Sequence, residues 1–240
     1  MHEDNFMGTS YNPKIITNGL IVHLDAANKK SYSGSGSTWI DLTKNKYNFT
    51  TYGSPTYSIS NNGIITFAKA SSQYADYSTS FPSLSNWTVE SWVKFTTTPA
   101  SSSNVTTVVT GNYNGVSNLN FCIGTSNSPT DYTIRAAFFN GAWRQSSGHT
   151  PTAGVWYSYT GTYDGTNIIL YVNGLLFNST AYTGTSQSGG GIRVARRWDD
   201  IVTASNLLDG AVPVVRIYNR ALSASEILQN YNATKGRFGF

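Results

Sequence analysis

Trp156-Tyr157-Ser158-Tyr159-Thr160-Gly161-Thr162-Tyr163, then Asp164-Gly165-Thr166, then Ile168-Ile169-Leu170-Tyr171-Val172-Asn173-Gly174-Leu175 is the passage that decides the fold. Two runs rich in β-branched and aromatic residues are separated by an Asp-Gly turn. The second run ends in Asn173-Gly174, the pair that supplies both positive φ angles of a tight type I′ hairpin. Alternation sets Ile168, Leu170 and Val172 opposite Ile169 and Tyr171, so both faces of that strand are apolar. A hairpin over 168–178 is predicted.

Working outward, similar short runs recur between turn clusters: Leu20–Leu24, Ile64–Phe67, Thr88–Phe95, Thr106–Val109, Asn120–Gly124, Thr133–Phe139, Gly191–Ala195 and Val212–Tyr218. Regular short strands of this kind predict an all-β, two-sheet antiparallel sandwich. In Trp87–Phe95, Trp87, Val89, Val93 and Phe95 share one face, while Glu90 and Trp92 share the other. A strand with two such faces fits a sheet with the core on one side and a second sheet, loop cover or ligand surface on the other. Near the end, Ser223 and Glu226 form a capping-box pair. Leu222 and Ile227 occupy the hydrophobic-staple positions, and Leu228 and Tyr231 continue an apolar stripe. One short C-terminal helix of two to three turns is expected, followed by a loose basic tail from Lys235 to Phe240.

Composition supports a folded chain with a large core. Lys+Arg 16 and Asp+Glu 12 leave a net charge of +4, and charged residues make up only 12% of 240, about half the usual share. With 16 Tyr, 11 Phe and 6 Trp, the chain does not have the composition of a disordered one. The charge is too small and scattered for a nucleic-acid groove. No run approaches the roughly 18 apolar residues of a membrane span. Cys122 stands alone, so no intrachain disulfide is expected, and residues 1–10 lack the apolar run of a secretory signal. The Asn-x-Thr triplets at Asn48, Asn86, Asn104, Asn178 and Asn232 follow from the abundance of Asn and Thr. Three parts are read: an N-terminal arm (1–17), a sandwich domain (18–232) and a C-terminal tail (233–240).

At this point the residues carry a resemblance. Trp156-Tyr157, Gly161 to Gly165 and Leu170 to Gly174 resemble the central hairpin of laminin-G-like, concanavalin A-like jelly-roll domains. So do Trp87 to Lys94, and Asp209-Gly210 with Val215 to Ser223. The resemblance covers roughly 18–232 and implies a jelly roll. A narrower one, carried by Pro13 to Leu20, Leu24 to Ala27, Arg196 to Asp199 and Glu226 to Thr234, is to laminin-G-like virion proteins of tailed bacteriophages. It implies a non-enzymatic capsid decoration, head fibre or tail fibre component, assembled in a host cytoplasm, with other virion proteins and host surface glycans as partners and a homo-oligomer as one form. Phe67-Ala68-Lys69 and Val212-Pro213-Val214 depart from the family by losing acidic side chains, which weakens any calcium site carried by analogy.

A retaining glycosidase needs two carboxylates about 5 Å apart. The glutamates are Glu3, Glu90 and Glu226, and only Glu3, beside Asp4, has an acid within five residues. Glu90 reads as a structural acceptor, and no zinc spacing, nucleophile elbow or phosphate loop is present. No catalytic residue and no cofactor is assigned. Binding has better material: Trp143 with Arg144, and Arg196-Arg197-Trp198-Asp199, set aromatic, cationic and acidic groups in or beside loops, where a Trp face stacks on sugar and Arg or Asp bonds hydroxyls. The competing reading of Arg196 to Asp200 is an internal arginine–aspartate pair. Asp199 and Asp200 are the calcium candidates. In the arm, Phe6, Met7, Tyr11, Ile15 and Ile16 are the residues expected to dock on a partner subunit, since ordering them alone would cost about 1–2 kcal/mol per residue.

Overall fold

A computed structural model describes residues 13–99, 106–111, 118–125, 132–185, 190–197 and 207–240. In chain order the strands are β1 (Leu20–Asp25), β2 (Thr38–Trp39), β3 (Phe49–Tyr52), β4 (Thr56–Ser58), β5 (Ile64–Phe67), β6 (Tyr74–Tyr77), β7 (Trp87–Phe95) and β8 (Thr107–Gly111). They continue as β9 (Asn118–Thr125), β10 (Ile134–Asn140), β11 (Trp143–Gln145), β12 (Trp156–Tyr163), β13 (Asn167–Val172), β14 (Leu175–Ala181), β15 (Ile192–Val194) and β16 (Gly210–Tyr218), and the helix α1 (Ala224–Thr234) follows. Two antiparallel sheets form the jelly-roll sandwich. One runs β14-β13-β12-β7-β16-β5-β4, with β1 also on β16; the other runs β11-β10-β9-β8-β15-β6-β3-β2. Among the described residues, no helix is long and apolar enough to cross a membrane.

The hairpin forms as its sequence requires. Val172 pairs with Leu175 across Asn173 (φ 51°) and Gly174 (φ 76°), the two positive angles of a type I′ turn. At the preceding turn the Asp164 carboxylate accepts from the backbone N–H of Thr166 and Asn167. The inner faces of both sheets build one core. Trp87, Val89, Val93 and Phe95 of β7 meet Phe121 and Ile123 of β9 and Ile168 and Leu170 of β13 there. Pro213 lies where β16 slips register against β7, the kind of irregularity that tolerates a proline in a sheet.

The outer face of the first sheet is closed by the C-terminal segment. Glu90 and Arg216, each 1% exposed, pair at 2.6 Å. The Asn230 amide of α1 donates to Glu90 at 2.9 Å and to the Tyr218 hydroxyl at 2.9 Å. Ser223 caps α1 with the complete capping box, and Leu222 and Ile227 are buried together with Tyr171 and Tyr218. Leu228, expected on that stripe, is 38% exposed instead.

Two expectations about the termini are corrected. Lys235–Phe240 is no loose tail: Lys235–Phe238 forms a 3-10 turn, and Phe238 stacks on Trp92 with ring centres 4.1 Å apart. Arg237 pairs with Asp25 at 2.7 Å and donates to the carbonyls of Asn61 and Gly63. Basic residues that look solvated in sequence find carbonyls and a carboxylate that only the fold brings near. Ile16, expected to dock on a partner, is tied to its own domain: its N–H donates to Asn230 at 2.8 Å, and its carbonyl accepts from Tyr218 at 3.0 Å. Ile15 is half-buried beside it, while Phe6, Met7 and Tyr11 lie outside the described residues.

Candidate functional site

The outer face of the second sheet keeps aromatic and charged groups within reach of solvent. Strand β3 carries Tyr52 into a tight turn, Gly53-Ser54-Pro55, and β4 then presents Tyr57. Gly53 and Ser54 both take positive φ, and a Cβ on Gly53 would stand 2.7 Å from the Ser71 carbonyl, so glycine is required there. Gln73 clamps this turn by donating to the carbonyls of Gly53 and Ser54 while accepting from Ala68 N–H. Across from it runs 33–37, whose Ser37 carbonyl accepts from Thr51 N–H at 2.7 Å.

Between these walls lies a cleft of about 580 Å³, lined by Tyr32, Tyr52, Tyr57, Pro55 and small Gly and Ser residues. That volume is in the range of small-ligand sites. Tyr32 is its floor, buried and donating to the Gly36 carbonyl, with its ring 5.5 Å from Tyr57. Burial, reinforced by Tyr57, raises the Tyr32 pKa, so its hydroxyl stays a neutral donor and acceptor. At the mouth, the Lys29 ammonium lies 3.3 Å from the Tyr57 hydroxyl. Tyr52, 40% exposed, stacks on Tyr74 at 4.7 Å with rings 17° from parallel. The Arg196 guanidinium covers the Tyr74 ring at 4.4 Å, and Asp76 stands 3.9 Å from Arg196 and 3.7 Å from Arg193. A cation–aromatic–aromatic ladder thus ends on an open tyrosine face beside the cleft. Tyrosine π-faces accept the C–H side of a sugar ring, and the surrounding hydroxyls, carbonyls and ammonium can bond its polar edge.

The sequence-predicted residues are only partly gathered here. Arg196 joins the site, but from behind: it is 7% exposed, so direct ligand contact is corrected to support of Tyr74. Its acidic partner is Asp76, remote in sequence. Arg197 is half-buried, and its carbonyl lies 3.5 Å from an Arg193 donor. Trp143 and Arg144 lie on β11, at the other end of the same sheet; Trp143 packs edge-on against Phe139, and Arg144 sits 4.4 Å over the Tyr182 ring. Trp198, Asp199 and Asp200 lie outside the described residues. Among the described residues, no group of three His, Cys, Asp or Glu could hold a metal. The tyrosines of the cleft were missed, although Tyr52-Gly53-Ser54-Pro55-Thr56-Tyr57, a turn flanked by aromatics, was the available signal.

Among the described residues, both glutamates and the cysteine are held away from the cleft. Glu90 is held by Arg216 and Asn230 beneath α1. Glu226 is held by Arg220 at 2.6 Å, and that pairing, against burial, lowers its pKa to about 2. Burial alone pushes the Cys122 thiol up to about 12.

Residues 68–228 match the family model described as the concanavalin A-like lectin/glucanases superfamily. No curated protein matches the sequence. Among solved structures, the chain is similar to domain 4 of AbnA, a GH43 extracellular arabinanase from Geobacillus stearothermophilus, in complex with arabinotriose. The TM-score is 0.66 at 17% identity, over 88% of this chain and 98% of that one. It is also similar to the Trypanosoma rangeli sialidase in complex with the inhibitor DANA (TM-score 0.61, 12% identity, 90% of this chain and 33% of that one). A third is the receptor binding domain of botulinum neurotoxin type G (0.59, 16% identity, 90% and 51%). At these identities the likeness is one of fold, and the chain spans about a third of the sialidase and half of the toxin domain.

Proposed function

The chain belongs to the concanavalin A-like lectin/glucanases superfamily, and from that premise we propose that it is a non-enzymatic saccharide-binding module displayed on a bacteriophage particle. The observation that carries the binding role is the tyrosine cleft: an exposed Tyr52 face, braced by Tyr74 and Arg196, beside a 580 Å³ recess walled by Tyr32 and Tyr57. Preorganised aromatic surface binds without the rotamer-ordering cost of a flexible site. The arabinanase domain bound to arabinotriose is a precedent for saccharide binding on this fold. A non-enzymatic role is supported by Glu90 and Glu226, whose carboxylates are both taken up by arginines. The particle context rests on the resemblance of Pro13 to Leu20, Arg196 to Asp199 and Glu226 to Thr234 to phage virion proteins. Docking there falls to the segment ahead of Lys14, because Lys14 and Ile16 are bonded to α1.

One experiment joins these parts. The full chain is placed on a glycan array, incubated with the polysaccharide that carries the best hit, and traced through purification of particles. Binding without release of reducing ends, with co-purification lost when residues 1–12 are deleted, is the expected result. Release of reducing ends would make the chain a glycan-cleaving enzyme. Binding by a protein that never sediments with particles would make it a free lectin.

A further inference from the structure

A polar ligand must supply whichever hydrogen-bond partner its site lacks, so the donors and acceptors on the walls of the tyrosine cleft define what enters it. The acceptors there are mostly taken. The Ser37 carbonyl accepts from Thr51 N–H at 2.7 Å, the Gly36 carbonyl from the Tyr32 hydroxyl at 3.0 Å, and the Ser35 carbonyl from the Ser33 hydroxyl at 2.8 Å. On the facing wall, Gln73 donates to the carbonyls of Gly53 and Ser54. The donors are left over: among the described residues, no backbone N–H from Ser33 to Ser37 donates to a protein acceptor. Gly34 and Gly36 take φ of 101° and 85°, and Ser35 between them does not take a positive φ. Alternation of this kind turns successive N–H groups toward one side, as in backbone anion sites.

Charge points the same way. No Asp or Glu lines the cleft. The Lys29 ammonium stands at its mouth, 3.3 Å from the Tyr57 hydroxyl and 3.4 Å from the Ser33 carbonyl, and a Cβ on Gly34 would lie 3.3 Å from it. Both of those hydrogen-bond partners are neutral. The carboxylates nearest in the chain are engaged elsewhere, Asp25 by Arg237 and Asp41 by Thr43 and the N–H groups of His23 and Tyr47. We infer that, given the saccharide role of the cleft, on which this rests, its ligand is an acidic saccharide. A sugar ring lies on Tyr52, and an anionic substituent, carboxylate or phosphate, is held by Lys29 and the N–H groups of the 33–37 loop. Both anions offer only acceptor oxygens, which is what these walls lack, and bonds from an ammonium to such oxygens are the stronger kind. The recess of about 580 Å³ has the size of a small-ligand site, with room for ring and substituent together.

Matched ligands test this. The full chain is titrated with oligomers of galacturonate, glucuronate and mannuronate, each beside its carboxyl-reduced neutral form and the 6-phosphate of that neutral form. The wild type is expected to bind an anionic member at least about tenfold more tightly than its neutral counterpart. That preference should shrink as salt is raised, because the ammonium is exposed. The tighter of the carboxylate and phosphate members identifies the anion. Lys29→Gln, at an exposed position, should keep the wild-type circular dichroism spectrum and lose the preference. Equal affinity for acidic and neutral members, tighter binding of the neutral one, or a preference unchanged in Lys29→Gln overturns the proposal and leaves the saccharide site standing. A folded chain that binds no saccharide, in this series or on an array, overturns the saccharide reading itself and this inference with it.

Discussion

The outer faces of the two sheets carry similar side chains and are treated in opposite ways. On the first sheet, Trp92, Glu90 and Arg216 are covered by α1 and the 3-10 turn after it, and Trp92 reaches Thr234 and Phe238. On the second, Tyr52 stays 40% exposed while Tyr74, Asp76 and Arg196 stand behind it. Both faces hold an aromatic ring beside an arginine–carboxylate pair. The difference is whether the chain itself supplies the cover. Where it does, the polar groups are structural. Where it leaves an aromatic face braced but open, the surface suits a partner from outside.

The sharpest test of the covered face is Arg216→Ala. Removing one member of a buried pair leaves Glu90 charged and dry, with only Asn230 as a donor, and should cost about 3–5 kcal/mol. Urea unfolding gives the value, and a loss below about 1 kcal/mol would mean that this face is far wetter than its burial implies.

The next effect is a pH dependence from the same face. Burial first, and the Arg216 charge second, lower the His23 pKa from 6.5 to about 4, with Asp25 opposing. A histidine depressed in the fold binds its proton more readily when unfolded. Stability is therefore fully present above about pH 6.5 and declines as pH falls toward 4, by about 3 kcal/mol. His23→Gln should flatten the melting profile across that window. An equally steep profile in the variant would assign the slope to other groups.

Much of this contrast was legible from local sequence, and part of it was not. The Asn173-Gly174 turn, the Ser223–Glu226 capping box and the two-faced β7 are written in adjacent residues, and each formed. Strands Thr38–Trp39, Phe49–Tyr52 and Tyr74–Tyr77 are too short and too rich in Thr and Tyr to show a period. Yet these strands assemble the cleft. Arg196 drew notice for its neighbours in sequence, whereas its partners Tyr74 and Asp76 come from another strand. The packing of Phe238 on Trp92 joins residues far apart in the chain, which no local pattern can signal.

A smaller effect probes the lid that makes the first face structural. Ser223→Ala removes the hydroxyl that accepts from Glu226 N–H and should cost about 1 kcal/mol. Its thermal midpoint should fall modestly, and an unchanged midpoint would mean that the Arg220–Glu226 pair alone holds the start of α1.

The smallest expected effect on stability carries the largest on binding, and it tests the open face directly. Tyr52→Ala removes a half-exposed ring, so the melting curve should move little. Titrated calorimetrically with the saccharide that an array ranks highest, the variant should bind at least about tenfold more weakly than wild type, a loss of about 1.4 kcal/mol. Tyr52→Ala with wild-type affinity, together with Trp143→Ala that no longer binds, would contradict the account and move the site to β11.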